Sequence, residues 1–245
     1  MRLLPSLFLP VLLAGCATFA PPPTAEVAAF SGNVAGAGEP RHWQPLIITR
    51  AKAPTQYRLI YDEKARAVVV HARAERSATG LKQPLDVDPA SRPRVAWRWR
   101  VQDLIAGADS LDRHAEDSPV RLLLFFDGDR QRLPARDQIA LDLAQMVSGQ
   151  SVPNATLVYL WENRQPVDTV IDSAHTGRIK MVVAGSGRDR LGQWKHFERD
   201  YVADFERAFG ERPGRLIGVG IMTDTDNTGA EIEAFYGDIE LRRAS

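Results

Sequence analysis

The chain of 245 residues contains a single cysteine, Cys16. A lone cysteine can form no disulfide within the chain and no zinc site built on several thiolates. The longest apolar run, from Leu3 to Leu13, is about eleven residues long. Such a run is too short to cross roughly 30 Å of hydrocarbon as a helix. The sequence therefore excludes a disulfide-stapled domain, and it predicts no membrane-spanning helix in this run.

The chain also lacks net charge and the common catalytic signatures. Lysine plus arginine and aspartate plus glutamate number 31 each, so no net field attracts nucleic acid. Neither a Gly-x-Ser-x-Gly elbow, a His-Glu-x-x-His motif, a P-loop nor a dinucleotide-binding glycine pattern occurs. The five histidines have no spacing typical of metal ligands. We therefore expect no nucleic-acid partner. The missing motifs favour a protein without catalytic activity, although an enzyme remains an open alternative.

The N-terminus has the features of an export signal. Arg2 precedes the apolar run, which closes on the sequence Leu13-Ala14-Gly15-Cys16. This sequence resembles a bacterial lipobox, which implies that residues 1–15 are a lipoprotein signal peptide and that Cys16 is the lipidated first residue. Several acyl chains hold a protein stably on a bilayer. With Ala17 after the cysteine, the resemblance implies lipid anchoring at the outer membrane, facing the periplasm or the surface. The alternative is an ordinary cleaved signal with a chance cysteine.

The next segment is rich in proline, glycine and small residues. It holds three consecutive prolines at 21–23 and the glycines Gly32, Gly36 and Gly38, with almost no charge. Such a composition buries too little apolar surface to order itself. We therefore predict a lipid-anchored flexible tether over residues 16–40 and one folded domain over residues 41–245.

Period-two alternation dominates that domain. From Arg94 to Gln102, Val95, Trp97, Trp99 and Val101 alternate with polar residues, which is typical of a strand with one packed face. Turn residues separate the further candidate strands, which are Trp43–Thr49, Tyr57–Tyr61, Ala67–Ala74, Val120–Phe126, Thr156–Trp161, Arg178–Val183, Leu216–Thr223 and Glu231–Leu241.

Two stretches interrupt the strand pattern. Residues Ala135–Val147 carry Ile139, Leu143 and Met146 at helical spacing, and Asp200–Phe209 begins on a potential aspartate cap. Many short strands with two helical insertions favour a sandwich over an alternating α/β sheet. The predicted fold is a mainly β, jelly-roll-like antiparallel β-sandwich with two short helical insertions.

Three segments together resemble a known family. They are Val95-Ala-Trp-Arg-Trp-Arg-Val101, Phe126-Asp-Gly-Asp129, and Thr223-Asp-Thr-Asp-Asn-Thr-Gly229 with the later Phe235-Tyr-Gly-Asp-Ile239. They resemble the bacterial secreted family of domain of unknown function 3047 over about residues 42–242. The closing strand is similar, more loosely, to the last strand of galactose-binding-like and carbohydrate-binding jelly rolls. The resemblance implies a shape and a location but no reaction.

Alternating carboxylates suggest a cation site. Asp224 and Asp226 take the first and third positions of a partial calcium loop, but its twelfth position is Phe235, where an EF-hand needs glutamate. We therefore predict a different hard-cation site formed by Asp224, Asp226 and Asp238, with structural calcium as its cofactor. The alternative is a tight turn in which Asp224, Asp226 and Asn227 bond their own backbone.

The polar face of the Arg94–Gln102 strand suggests a ligand site. Trp97 and Trp99 are expected in the core, which places Arg98 and Arg100 side by side on the opposite face. Paired arginines can grip a carboxylate or phosphate, and glycans of the bacterial envelope carry both groups. Trp161 and Glu162, at a strand end, are predicted to line the same groove. The alternative is a solvated face, or arginines paired with acids of the next strand.

Three functions remain open. The first is a non-catalytic envelope module that binds carbohydrate or another envelope polymer. The second is a hydrolase of envelope glycan or ester, with Glu116, Asp117 or the acids between 224 and 238 as catalysts. The third is a structural partner of other envelope proteins, with an exposed strand edge near Trp194 as the contact.

Overall fold

Twelve β-strands and two α-helices make up residues 23–244, the part of the chain that the computed structural model describes. The strands are β1 (Gln44–Ile47), β2 (Gln56–Asp62), β3 (Ala67–Glu75), β4 (Ala78–Val87), β5 (Arg94–Val101), β6 (Ser118–Phe126), β7 (Ala155–Glu162), β8 (Val170–Asp172), β9 (Ile179–Ser186), β10 (Lys195–Asp200), β11 (Leu216–Asp224) and β12 (Glu231–Arg242). The helices are α1 (Ala135–Ser148) and α2 (Tyr201–Phe209).

The strands form two sheets that pack face to face. The seven-stranded sheet has the order β1-β4-β11-β6-β7-β9-β8, and the five-stranded sheet has the order β10-β5-β12-β3-β2. Neighbouring strands are antiparallel, apart from the parallel pair β7 and β9. The predicted mainly β sandwich with two short helices is confirmed.

The tryptophans of β5 lie in the core between the sheets. Trp97 and Trp99 are 4% and 0% exposed, as the alternation predicts. The Trp97 ring stacks on Tyr159 of β7 in the opposite sheet, with 5.0 Å between ring centroids. Burying a large apolar side chain contributes about 1.5–3 kcal/mol. This cross-sheet contact therefore fixes which face of β5 points inward.

Strand β4 is the largest element that the alternation rule misses, and the short strand β8 is missed with it, whereas the strand edge expected near Trp194 is present as β10 at the edge of the five-stranded sheet. β4 carries Gly80 and Pro84, which ordinarily weaken a strand, yet it lies between β1 and β11. Pro84 pairs with Gly218 beside an irregularity of β11, where a missing N–H disturbs the ladder least. A Cβ on Gly80 would lie 2.4 Å from the Ile221 carbonyl oxygen, so the close approach requires glycine.

The segment before β1 packs on the sandwich. Phe30 is 1% exposed within the main core, and the Asp238 carboxylate accepts hydrogen bonds from the Ser31 backbone N–H and hydroxyl. Thr24 forms a parallel bridge with Leu85 of β4. The prediction of a flexible tether over residues 16–40 is therefore wrong from Thr24 onward, because Phe30 packs in the main core and the backbone around it is hydrogen-bonded to the sandwich. Residues 16–22, including Cys16, lie outside the described residues.

Both predicted helices are present. The Asp200 carboxylate caps α2 by accepting a hydrogen bond from the Ala203 N–H at 2.9 Å, and Gly149 and Gly210 end the two helices in the left-handed conformation. The side chains of α1 at helical spacing, however, point to solvent rather than to the sheets. Neither α1 nor α2, nor any other helix within residues 23–244, is long and apolar enough to cross a bilayer.

We predict that Phe30→Ala lowers the free energy of unfolding by about 3–5 kcal/mol, because it removes a fully buried ring from the core. For a chain of this size the loss corresponds to a fall in Tm of roughly 6–20 °C, measurable by calorimetry. Val34→Ala is the matched control from the same segment, since Val34 is 68% exposed. The control should change stability by less than about 0.5 kcal/mol. Equal, small effects of the two substitutions would contradict the docked position of this segment.

Candidate ligand-binding face and acidic cluster

The outer face of the five-stranded sheet presents the polar side of β5. In the register of the sheet, Arg98 lies opposite His196 of β10, and Arg100 lies opposite Phe235 of β12. Trp194 precedes β10 and extends over both guanidinium groups, whose carbons lie 5.3 Å (Arg98) and 5.7 Å (Arg100) from its ring centroid. We call Arg98, Trp194, His196 and the nearby Asp238 the Arg98 face.

Arg100 is occupied by protein groups. It is 6% exposed, its Nη2 donates to Asp62 Oδ2 at 2.5 Å, and its guanidinium lies 3.8 Å from the Phe235 ring centroid. The Trp194 indole N–H donates to the same carboxylate at 3.0 Å. Burial raises the pKa of Asp62, but the hydrogen bonds from Trp194 and from the Ala65 N–H, with the charge of Arg100, bring it below its ordinary value. Of the two arginines predicted to bind a ligand together, only Arg98 is therefore available, because Asp62 of β2 already binds Arg100.

Arg98 has no such partner. Within residues 23–244 its guanidinium makes no hydrogen bond and no ion pair, and it contacts the Trp194 ring in a cation–π interaction. Its side chain lies across Gly237, where a Cβ would stand 2.4 Å from the Arg98 Nε. The glycine and the bulge of β12 between Tyr236 and Ile239 give the arginine this path over the sheet.

A shallow depression of about 470 Å³ opens beside Arg98. Other cations nearby are neutralised: Arg242 pairs with Glu198 and with Glu240, each at 2.7 Å. The depression thus holds one half-buried guanidinium that is not engaged by a carboxylate. Its lining residues are Ala96, Trp97, Arg98, His196, Phe197, Glu198, Asp238, Glu240 and Arg242.

Trp161 and Glu162 do not line this face. They lie in β7 of the other sheet, where they are 2% and 3% exposed. The Glu162 carboxylate accepts backbone N–H groups of Ser110, Arg164 and Gln165, and so holds two loops in place. The prediction that this pair shares a groove with Arg98 is wrong. Both side chains are buried at the end of β7, in the other sheet, where they contact the core and the neighbouring loops.

The acidic residues meet at one end of the sandwich. Oxygen atoms of Asp117, Asp224 and Asp226 all lie within 4.8 Å of one another. Strand β6 begins where its antiparallel neighbour β11 ends, which brings Asp117 and Asp224 together. Arg121 bonds Asp224 from Nε and Nη2, each at 3.1 Å, and Lys52 pairs with Asp226. We call these three carboxylates the acidic cluster.

Asp238 does not belong to the acidic cluster. It lies on β12, where its carboxylate binds Ser31 and borders the depression beside Arg98. Asp117 takes the place that the sequence assigned to Asp238. The alternative turn interpretation also needs correction, because it is Asp117 that accepts the backbone N–H groups of Asn227 and Thr228, at 3.2 and 2.7 Å. Asp224 and Asp226 instead bind groups outside their own turn.

Burial raises the pKa of Asp224 to about 7. The charge of Arg121 opposes this rise, whereas the carboxylates of Asp117 and Asp226 add to it. Because the unfolded chain releases this proton near pH 4, the folded state retains a proton between about pH 4 and 7. The contribution of Asp224 to stability therefore falls as the pH rises through that range.

The acidic cluster offers the ligand type that calcium prefers, and its oxygen separations suit one coordination shell. A cation there would be held by Asp117, Asp224 and Asp226, and it would remove the repulsion among the three carboxylates. Arg121 and Lys52 already supply part of that compensation. The same residues can therefore act as a metal site or as a purely structural ion-pair network.

The residues considered for catalysis are only partly brought together. Glu116 Oε1 lies 3.1 Å from Nε2 of His175, which belongs to the loop before β9. Asp117 is 3% exposed. Sequence inspection did not find His175, Arg121 or Lys52, because no spacing relates them to the acids. The pairing of β6 with β11 would have placed Arg121 beside Asp224, whereas His175 and Lys52 lie in loops outside both strands.

These features define a β-sandwich protein with a charged network at one end and, on the outer face of the five-stranded sheet, an arginine that no carboxylate of residues 23–244 engages. The chain belongs to the family described as protein of unknown function (DUF3047), whose profile matches residues 41–240. The predicted membership is confirmed. No curated protein matches the chain.

Solved structures with a similar arrangement of strands include three from bacteria. They are the family 11 carbohydrate-binding module of a Clostridium thermocellum cellulase (8% identity, 90% of this chain, 96% of that chain, TM-score 0.42), the xyloglucanase domain of NopAA from Sinorhizobium fredii (6%, 86%, 98%, 0.43) and the K3 cleaved adhesin domain of Lys-gingipain from Porphyromonas gingivalis (10%, 89%, 99%, 0.41). At these identities and TM-scores no ligand or activity transfers to this chain.

We predict that calcium in hundredfold excess over its Kd stabilises the chain by about 2.7 kcal/mol at pH 8, if the acidic cluster binds it. This gain corresponds to roughly 5–10 °C in Tm relative to the chain in chelator. At pH 5 the gain should shrink, because Asp224, with its pKa raised to about 7, is then protonated and a poor ligand.

Asp226→Asn should abolish the calcium effect, whereas Asp189→Asn should leave it intact because Asp189 is 87% exposed and pairs with Arg190 rather than with the cluster. A melting temperature that is the same in calcium and in chelator would show that Arg121 and Lys52 are the partners of the cluster.

Proposed function

We propose that this protein is a non-catalytic binding module, held at the cell envelope by a lipid on Cys16, and that it recognises an acidic group of an envelope glycan through Arg98. The unpaired guanidinium of Arg98 is the observation that carries the proposal. The other arginines bordering that depression or lying beneath Trp194 are bound to protein carboxylates. A cation left without a partner can give its full hydrogen-bonding capacity to a ligand.

The guanidinium of Arg98 suits a sugar acid or a phosphorylated sugar, while the carboxylates that also line the depression (Glu198, Asp238 and Glu240) can accept hydrogen bonds from sugar hydroxyls. A guanidinium can bind a carboxylate or phosphate through two parallel hydrogen bonds. Trp194 lies beside it and remains partly exposed, so a pyranose ring has an apolar surface next to the cation. Asp238 and His196 add polar groups at the rim of the depression. An open, shallow site of this kind suits an extended polymer better than a small molecule enclosed on all sides.

Burial of the acids supports binding without turnover. Asp117 and Asp224 are 3% and 5% exposed, and both are bonded to neighbouring protein groups. A general acid or base must reach the substrate within hydrogen-bonding distance. These carboxylates are turned toward the protein, which favours a structural role over the alternative of a glycan or ester hydrolase.

We predict that Arg98→Ala weakens binding of a uronic-acid-containing or phosphorylated envelope glycan by about 10- to 100-fold. The loss equals one charge-assisted interaction of about 1.5–3 kcal/mol. Calorimetric titration of the detergent-solubilised chain against charged and neutral glycans measures it. Arg98→Lys should restore only part of the affinity, because lysine keeps the charge without the planar fork.

Arg73→Ala is the matched control, since Arg73 lies on the same sheet face, 48% exposed and paired with Glu231. Its affinity should equal that of the unaltered chain. Unchanged binding by Arg98→Ala, or equal binding of neutral and charged glycans, would contradict the role of Arg98.

The proposed anchor has a structural consequence. Since Thr24 is already docked on β4, only residues 17–22 separate Cys16 from the first described residue, Pro23. Seven steps of extended chain span at most about 25 Å. A domain anchored through Cys16 would therefore stay close to the bilayer, much closer than a tether of residues 16–40 would hold it.

We predict that Cys16→Ser moves the protein from the membrane fraction to the soluble periplasmic fraction, because it removes the acylation site. Fractionation with intact mass measurement of the unaltered chain should show diacylglyceryl and acyl groups on the processed N-terminus. An unmodified Cys16 thiol in a chain that keeps residues 1–15 would contradict the anchor.

A further inference from the structure

Helix α1 has apolar side chains on two opposite faces, and only one of them is covered. Leu141 is 4% exposed and faces the protein, as does Asp137, whose carboxylate binds Thr176 and Gly177 before β9. On the other side Ile139, Leu143, Met146 and Val147 are 67%, 57%, 81% and 45% exposed. A helix on a protein surface ordinarily turns its apolar stripe to the core and its polar residues to water, so exposed apolar side chains on the far side of α1 are available for contact with another surface. Within residues 23–244 nothing covers these four side chains.

We propose that the exposed side of α1, formed by Arg136, Ile139, Leu143, Met146 and Val147, lies on the headgroup region of the bilayer to which Cys16 is anchored. We call it the α1 outer face. The inference rests on the lipid anchor of the proposed function and adds a defined orientation of the domain on the membrane.

The position of the chain entry supports a membrane as the occupant. Thr24 pairs with Leu85 of β4, and the side chain of Gln150, just after α1, accepts a hydrogen bond from Lys82 of the same strand at 2.9 Å. Lys82 and Leu85 are about 10 Å apart along a strand. The anchored segment and the C-terminal end of α1 therefore meet the domain at neighbouring points. With at most about 25 Å of chain to Cys16, the α1 outer face lies within reach of the lipid surface.

Two exposed arginines border the α1 outer face, although Arg136 lies 4.0 Å from Asp137, Arg132 lies 3.6 Å from Asp129, and the exposed Asp142 pairs with Arg130. Arg136 precedes Ile139 by three residues and continues the same face, with an 82% exposed side chain. Arg132, in the turn before the helix, is 87% exposed. Arginines can keep their guanidinium groups among headgroups while their stems and the apolar residues enter the interface. Interfacial helices commonly combine these two residue types.

A site-specific fluorophore tests this orientation. Because Cys16 is the only native cysteine and would be acylated, Met146→Cys introduces a single free thiol for an environment-sensitive label. Leu111→Cys is the matched control: Leu111 is 61% exposed and follows Ser110, which binds the last residue of β7 at the end of the sandwich opposite Leu85. Both lipidated full-length chains are reconstituted into vesicles of zwitterionic and anionic phospholipid, floated on a gradient, and measured with and without quencher-bearing lipid.

We expect a blue shift of emission and quenching by the lipid-borne quencher at position 146 and neither effect at position 111. Arg132→Gln with Arg136→Gln should reduce the shift on anionic vesicles. Chains that float while position 146 keeps a solvent-like emission would overturn the inference and leave the anchor intact. Chains that fail to float would remove the anchor itself, and the inference with it. A shift that grows with the concentration of a Cys16→Ser chain without vesicles would assign the face to a second copy and overturn the lipid proposal.

Discussion

The inward packing of the tryptophans of β5 is the constraint on which the rest of the structure depends. Trp97 stacks on Tyr159 across the core, and Trp99 is fully buried beside it. Side chains of a strand alternate between its two faces, so this packing also decides that Arg98 and Arg100 point outward. A slip of one residue would bury both guanidinium groups and expose both indoles. The core and the proposed ligand face are therefore two consequences of one register.

The two outward arginines nevertheless have different roles. Arg100 meets Asp62 from β2, the Phe235 ring from β12 and the indole of Trp194, and these contacts bury it. A buried, paired guanidinium stabilises the local arrangement, and removing its partner would leave an uncompensated charge. Arg98, two residues earlier, lies over Gly237 and meets no carboxylate of residues 23–244. Neighbours on other strands thus give two identical side chains on one face different roles: Arg100 is structural, and Arg98 is a candidate binding group.

The acidic cluster, the α1 outer face and the Arg98 face lie at different places on the sandwich. The acidic cluster lies where β6 begins and β11 ends, whereas the chain enters beside Leu85, near the other end of β4. Under the proposed anchoring, the α1 outer face would rest on lipid, and the acidic end would point away from the entry of the chain. The Arg98 face lies on the opposite sheet from α1, which would leave it open to polymers of the envelope. A single domain could in this way contact the membrane through the α1 outer face and expose the Arg98 face to a ligand at the same time.

The amino-acid sequence by itself determined the class of fold, most strand positions, both helices and the inward tryptophans, because period-two and helical spacing are local properties. Strand β4 escaped local rules because its glycine and proline are tolerated by particular neighbours, Ile221 and Gly218. Which acids meet, which arginine stays unpaired and which face of α1 is left bare were decided only by the tertiary structure. Each depends on side chains that are 38 or more residues apart in the chain, such as Asp62 with Arg100 or Asp117 with Thr228. Strand pairing sets those distances, and no local spacing encodes them.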